Sequence, residues 1–194
     1  YVKPFDWHFR SGDSIHALLD VISSYERLFE PFEISPGVIL PSGEYRSTRF
    51  LSQIATATKR PLSASLSYQW GDFWSGSAEQ VTASITYKWP PWLTFTGKAD
   101  QTFARMPEGD FVVRLLSADL DIAATPFLLL SNRVQYDNRS RNLAWQARLR
   151  YTLRPGTDVF LVFDQGWIHE EVGDLRFRTA DRKASAKFQF TLRF

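Results

Sequence analysis

The sequence predicts an all-β chain, an antiparallel up-and-down sheet of 10–11 strands forming part of a transmembrane β-barrel. Three observations predict it. Apolar residues recur at every second position through most of the chain, which is the period of a strand and not of a helix. The connections between these segments alternate between short and long. No helical pattern occurs that could cover the apolar face or fill a closed barrel.

Composition narrows the class. The 194 residues are 44% hydrophobic, 15% aromatic and 23% charged, which excludes a disordered chain. The absence of cysteine removes disulfide frameworks, thiolate metal sites and cysteine nucleophiles. The longest apolar runs, such as residues 126–130, fall far short of the roughly 18 residues of a membrane helix, whereas a membrane strand needs only about 9–11. Lys and Arg number 23 against 21 Asp and Glu, without a basic run, so no nucleic-acid partner is expected. The chain opens at Tyr1 without a signal-peptide pattern and reads as a mature product or part of a longer chain.

The elements follow in order. Residues 1–10, 14–27 and 45–58 alternate weakly. Leu62, Ala64, Leu66, Tyr68 and Trp70 oppose Ser63, Ser65, Ser67 and Gln69. Val81, Ala83, Ile85, Tyr87 and Trp89 oppose Thr82, Ser84, Thr86 and Lys88. Leu93, Phe95, Gly97 and Ala99 oppose Thr94, Thr96, Lys98 and Asp100. Leu116, Ala118, Leu120 and Ile122 oppose Ser117, Asp119 and Asp121, and Leu128, Leu130, Val134 and Tyr136 oppose Ser131, Arg133 and Gln135. The clearest segment is 143–154, where Leu143, Trp145, Ala147, Leu149, Tyr151 and Leu153 oppose Gln146, Arg148, Arg150, Thr152 and Arg154. Residues 157–169 are apolar on both faces around Val159 to Phe163, which leaves their phase open. Phe188, Phe190, Leu192 and Phe194 oppose Lys187, Gln189, Thr191 and Arg193.

Short connections are expected at 10–13, 58–61, 89–92, 123–126 and 154–157, and long ones at 28–44, 71–80, 104–110, 137–142 and 166–183. Strict alternation suits an up-and-down sheet with one tight and one elaborated rim, as in outer-membrane barrels. Pro155-Gly156 is turn chemistry, and Gly71, Gly76 and Gly166 read as isolated turn glycines. The 28–44 loop carries Ile34, Val38, Ile39 and Leu40, too apolar for a solvated loop. It is expected to fold back on the rim or lumen, or to add a short hairpin.

Alternation alone does not say which face meets lipid; three features point to the apolar one. Trp70, Trp74, Trp89, Trp92, Tyr136, Trp145 and Trp167 lie near strand termini, where interfacial aromatic girdles lie. The opposite face is rich in Ser, Thr, Gln and charged residues, which suit a wet lumen. Finally, the chain ends in KFQFTLRF, in which Phe188, Phe190, Leu192 and Phe194 resemble the C-terminal signal read by the barrel-insertion machinery. Counting back from that end places the short turns on the periplasmic side and the long loops outside. The first of 11 strands would then begin outside, although single-chain barrels usually have even strand numbers. Upstream strands are therefore expected, unless residues 1–10 do not span.

Several phrases resemble an uncharacterised family of large bacterial outer-membrane barrels whose members carry an N-terminal family-nine-like carbohydrate-binding module. They are FRSGD at 9–13, PFEISPGVILPSGEYR at 31–46, RPLSASLSYQWGDFWSG at 60–76, PEGDF at 107–111, the stretch 134–167, and KFQFTLRF. The resemblance covers most of residues 1–194 as the C-terminal portion of one barrel domain. It implies a sugar-binding module and earlier strands upstream, and it implies no activity and no catalytic residues.

The search for chemistry finds little. His8 is near Ser11 and Asp13, but in a strand His8 and Ser11 point to opposite faces. His16 shares a face with Asp20, yet four residues at about 3.3 Å separate them by about 13 Å. The His169-Glu170-Glu171 run reads as solvated charge. Asp72, Glu108, Asp110, Asp164, Glu170, Glu171 and Asp174 fall in or near expected external loops, as solubilising charges or as sites for cations that bridge lipopolysaccharide. No enzyme, cofactor or metal site is expected. The candidate lumen-facing set is Lys98, Asp100, Asp119, Asp121, Arg133, Arg148, Arg150 and Arg193, with Arg154 on the same face. These charges read either as opposed acidic and basic stretches producing a transverse field or as a ladder of ion pairs between neighbours.

The expected function is a pore or transport module for polar solutes in a bacterial outer membrane. Its partners would be outer-membrane lipid and lipopolysaccharide, the insertion machinery during assembly, and other membrane-complex subunits. A plugged barrel serving as an anchor or interaction subunit, a soluble β-sandwich binding module and an integral-membrane hydrolase stay open as alternatives.

Overall fold

The computed structural model describes residues 2–9, 15–170 and 176–191. Leu192, Arg193 and Phe194 lie outside the described residues, as do Ser11, Asp13, Glu171 and Asp174; the side chain of Glu170 does too. Thirteen strands follow one another: β1 (Val2–Phe9), β2 (Ile15–Leu28), β3 (Phe32–Ser35), β4 (Val38–Leu40), β5 (Gly43–Ala55), β6 (Leu62–Phe73), β7 (Gly76–Trp89), β8 (Leu93–Arg105), β9 (Phe111–Thr125), β10 (Leu128–Asp137), β11 (Asn142–Arg154), β12 (Thr157–Glu170) and β13 (Arg176–Phe190). Eleven of them form one sheet in the order β1-β2-β5-β6-β7-β8-β9-β10-β11-β12-β13, and β3-β4 form a separate hairpin. The up-and-down order agrees with the sequence expectation. Among the described residues, β1 and β13 stand at the two ends of that order.

Strict alternation of connection length does not hold. The expected long connection at 71–80 shrinks to Trp74 and Ser75, while the expected short one at 58–61 widens to residues 56–61. The expected loop at 166–183 contains the end of β12 and the start of β13. The reason is that β2 and β5–β13 run for 10–15 residues, longer than the apolar alternation that marks them. Polar strand ends still satisfy their backbone groups through the neighbouring strand, so pairing continues after the apolar pattern stops. Gly71, Gly76 and Gly166 accordingly lie in strands and not in turns. A Cβ on Gly71, at φ +129°, would stand 2.4 Å from the Thr48 carbonyl oxygen, so close backbone approach requires glycine there.

The chain divides into two compact units, one within Tyr1–Ser84 and Ala99–Arg114, the other within Ile85–Lys98 and Leu115–Phe194. In the first, the apolar 28–44 segment forms the β3–β4 hairpin. Gly37, at φ 78°, makes its turn, and its N–H donates to Glu33 Oε1 at 2.9 Å. Val38, Leu40 and Met106 form a buried cluster, surrounded by Leu28, Ile34, Phe73, Trp74 and Phe111. The 106–110 turn is closed by Gly109 N–H to the Met106 carbonyl and by Met106 N–H to Asp110 Oδ1. Trp74, in the two-residue turn at φ 53°, packs edge-on against Tyr45, whose hydroxyl donates to the Pro41 carbonyl.

In the second unit, cross-strand register resolves the phase of β12. Val159, Leu161, Phe163, Gln165 and Trp167 pair with Tyr151, Leu149, Ala147, Trp145 and Leu143 and share their apolar face. Phe160 and Val162 lie opposite Arg150 and Arg148 on the polar face. A register shift between Thr152 and Arg154 carries Arg154 off that polar face. Arg154 pairs with Thr157, and its guanidinium lies 5.3 Å from the Phe190 ring centroid.

The hairpin cluster yields a test. Leu40 is fully buried, and Ile39 beside it is 55% exposed. Leu40→Ala is expected to cost about 2–5 kcal/mol, whereas Ile39→Ala stays within about 0.5 kcal/mol. Urea midpoints of the two variants measure the difference, and equal shifts would show that the hairpin is not anchored through Leu40.

Candidate functional site

The residues with chemical potential lie on the polar face, where each strand contributes every second side chain. On β7 and β8, Asp100 accepts hydrogen bonds from Gln80 Nε2 at 3.1 and 3.0 Å and from Thr82 Oγ1 at 2.6 Å. The Ser65 and Ser84 hydroxyls pair at 2.8 Å, and those of Thr86 and Thr96 at 3.2 Å. Hydroxyls and amides thus serve one another across the ladder.

The charged part is in the second unit. Register aligns Asp119 of β9 with Arg133 of β10, Gln146 of β11, Asp164 of β12 and Lys183 of β13. Arg133 Nε reaches Asp119 Oδ1 at 2.6 Å, and Gln146 Nε2 donates to Asp164 Oδ1 at 2.7 Å. The adjacent row aligns Asp121, Ser131 and Arg148. A groove of about 410 Å³ opens here, lined by Asp119, Asp121, Ser131, Arg133, Gln146 and Arg148 among others. Further along, buried Asp158 accepts from Arg150 Nε at 3.1 Å, Arg150 Nη2 at 3.3 Å and Thr152 Oγ1 at 2.6 Å.

Of the two sequence readings of these charges, the Arg133–Asp119 and Arg150–Asp158 pairs follow the ladder between neighbouring strands. Asp158 and Asp164 complete it on β12. Sequence reading left both out of the charged set, because the phase of that segment was open. Lys98 and Asp100 are both on β8. Asp72 accepts from Thr48 N–H at 3.0 Å, and Glu108 accepts from the Ser75 hydroxyl. With Asp110 and Asp164, these expected loop carboxylates serve as hydrogen-bond acceptors within the fold.

The aromatic candidates divide by strand end. Trp89 and Trp92 flank residues 90–91 and are exposed. Trp70, Tyr136, Trp145 and Trp167 lie toward the strand ends that adjoin connections 74–75, 138–141 and 171–175. Trp70 stacks between Phe50 and Tyr68 at centroid separations of 5.6 and 5.1 Å. Trp145 meets Phe163 edge-on at 5.4 Å. Trp74 belongs instead to the hairpin cluster. Phe188 and Phe190 of the C-terminal segment are exposed on β13.

The histidines are placed differently from the sequence expectation. His8 lies directly opposite His16 in the β1–β2 ladder, and Asp6 lies two residues before His8. His16 Nε2 is 3.0 Å and His8 Nδ1 is 3.4 Å from the same Asp6 Oδ1. The two imidazoles stack at 4.1 Å. His16 therefore turns to Asp6 and not to Asp20. Sequence reading missed this cluster because it depends on register: a turn at 10–13 would pair His8 with Ile15, one residue away from the observed partner, on the other face. The Asp6–His8 spacing of two was the available signal. Once this geometry is assembled, these are the described residues best able to hold a metal ion.

No family model, curated protein or solved structure matches the chain.

The ion-pair ladder yields a test. Arg133 and Asp119 are 62% and 31% exposed, so their coupling is that of a surface pair. A double-mutant cycle with Asp119→Ala and Arg133→Ala is expected to give a coupling below about 1 kcal/mol. A larger value would show that the pair is shielded from solvent.

Proposed function

We propose that the chain is the C-terminal portion of a β-barrel in a bacterial outer membrane, acting as a pore or transport module for polar solutes. The observation that carries the reading is an apolar sheet face left open among the described residues. Among the described residues, thirty large hydrophobic side chains are exposed, while only seven apolar residues are buried. Leu66, Ile85, Leu116, Leu161 and Phe188 all lie open on strands. A water-soluble chain rarely leaves so much apolar surface exposed, because each buried large side chain is worth about 1.5–3 kcal/mol. Lipid removes that penalty and leaves the ladder as the only polar system the backbone needs.

The dimensions support the same reading. From Leu153 to Leu143 along β11, ten steps of about 3.3 Å tilted by about 40° span about 25 Å, the height of a barrel's apolar band. Leu130, Ala147, Leu149, Leu161, Phe163 and Ala186 line an apolar depression of about 440 Å³ in the same face. Its small alanines beside leucines make a recess that suits an acyl chain. No helix among the described residues is long and apolar enough to cross a membrane.

In this reading, the rim that carries connections 90–92, 126–127 and 155–156 faces the periplasm, lipopolysaccharide surrounds the opposite rim, and the C-terminal aromatic strand is what the insertion machinery reads. The polar face lines the lumen, with the Asp119–Arg133–Arg148 groove along the solute's path. Upstream strands complete the barrel, and the resemblance adds a sugar-binding module that would bring solutes to it.

Three tests address different levels. Unboiled protein extracted in detergent is expected to migrate differently from boiled protein, and soluble protein without a shift would overturn the membrane reading. Leu149→Arg puts a cation on the lipid face at a cost of about 2–4 kcal/mol and should block insertion, whereas neighbouring Arg148→Leu should insert normally. Equal behaviour would reverse the facing assignment. Planar-bilayer recordings then separate pore from anchor: salt-dependent conductance is expected, and a silent inserted barrel would make it an anchor.

A further inference from the structure

We propose that Asp6, His8 and His16 form a binding site for a divalent transition-metal ion of the zinc and copper type. The site rests on the β1–β2 pair alone and is independent of the membrane reading. Positions 6 and 8 share a face because strand side chains alternate, and the register brings His16 opposite His8. Two imidazole nitrogens thereby converge on one carboxylate oxygen at 3.0 and 3.4 Å. One ligand atom from each of the three residues falls within 4.8 Å of the other two.

That spacing matters. A tetrahedral ion with bonds of about 2.0–2.1 Å holds its ligands about 3.3 Å apart. Both imidazole-to-carboxylate separations therefore already stand near the value such an ion imposes, and the imidazole-to-imidazole one lies within 4.8 Å, so binding would draw the two rings' nitrogens together. The chemistry selects the class: two imidazoles and one carboxylate suit zinc, copper or nickel, whereas calcium and magnesium require mostly oxygen ligands. Lys3 Nζ lies 3.3 Å from Asp6 Oδ2, the other carboxylate oxygen, and so leaves Oδ1 to the two imidazoles. Three protein ligands leave a fourth position open for water or for a donor atom of a solute. His8 is 61% exposed at the side chain, so an ion could enter directly from solvent. In the absence of an ion, the same groups form a hydrogen-bonded cluster, and the experiment has to separate these two states.

The test uses the full chain in detergent micelles with any purification tag removed, titrated calorimetrically with zinc chloride. Saturable binding of one equivalent is expected. Partners that merely orient a ligand are worth about 10–100-fold in affinity, so His8→Ala and His16→Ala should each weaken binding by at least about tenfold. His169→Ala, in β12, should leave it unchanged. Circular dichroism checks that each variant keeps its strand signal. If a variant loses it, copper(II) electron paramagnetic resonance of the wild type decides: coupling to two imidazole nitrogens supports the site, and its absence overturns it. No saturable binding by folded wild type, or wild-type affinity in the two folded variants, also overturns it and leaves Asp6 as a hydrogen-bond acceptor only.

Discussion

Lateral hydrogen bonding between neighbouring strands is the constraint on which the rest depends. Each backbone N–H and C=O must be paired wherever water is excluded. In the eleven-stranded order, every inner strand meets this requirement through the strand on either side. A sheet satisfied in this way needs no second layer for its backbone. Its two faces are then free to meet different surroundings, and their side chains differ accordingly.

The usual hydrophobic core is correspondingly small and lies away from the middle of the strands. Val38, Leu40 and Met106 bring together a hairpin, a turn and the ends of neighbouring strands. Hydrophobic burial here orders a connection and does not hold the sheet together. This explains how a long segment between β2 and β5 can be apolar and regular, and why Trp74 serves a local packing role despite its place near a strand end.

On the polar face, direct neighbours decide what each charge does. Arg133 meets Asp119 and Arg150 meets Asp158 across single strand-to-strand steps, so opposite charges interleave. The groove beside Arg148 and Asp121 therefore presents both signs at close range. The Asp6–His8–His16 cluster follows the same rule of adjacency, since its geometry comes from one cross-strand pair and one same-face neighbour.

The period of two was enough to read the all-β class and the separation into polar and apolar faces, while the up-and-down order was read from the connections. That information is local, because alternate side chains point to alternate faces whatever the partner strand. It also marked the 28–44 segment as too apolar for a bare loop. Strand ends were not legible in the same way: Phe73, Gly76 and Arg176 lie in or beside polar sequence and are held by pairing. Nor were the Asp6–His16 contact, the phase of Phe160 and Val162, and the departure of Arg154 from the polar face. Each of these depends on register, and a shift of one residue exchanges the two faces. Register is set by the backbone ladder with a neighbouring strand, and that ladder exists only once the strands have come together.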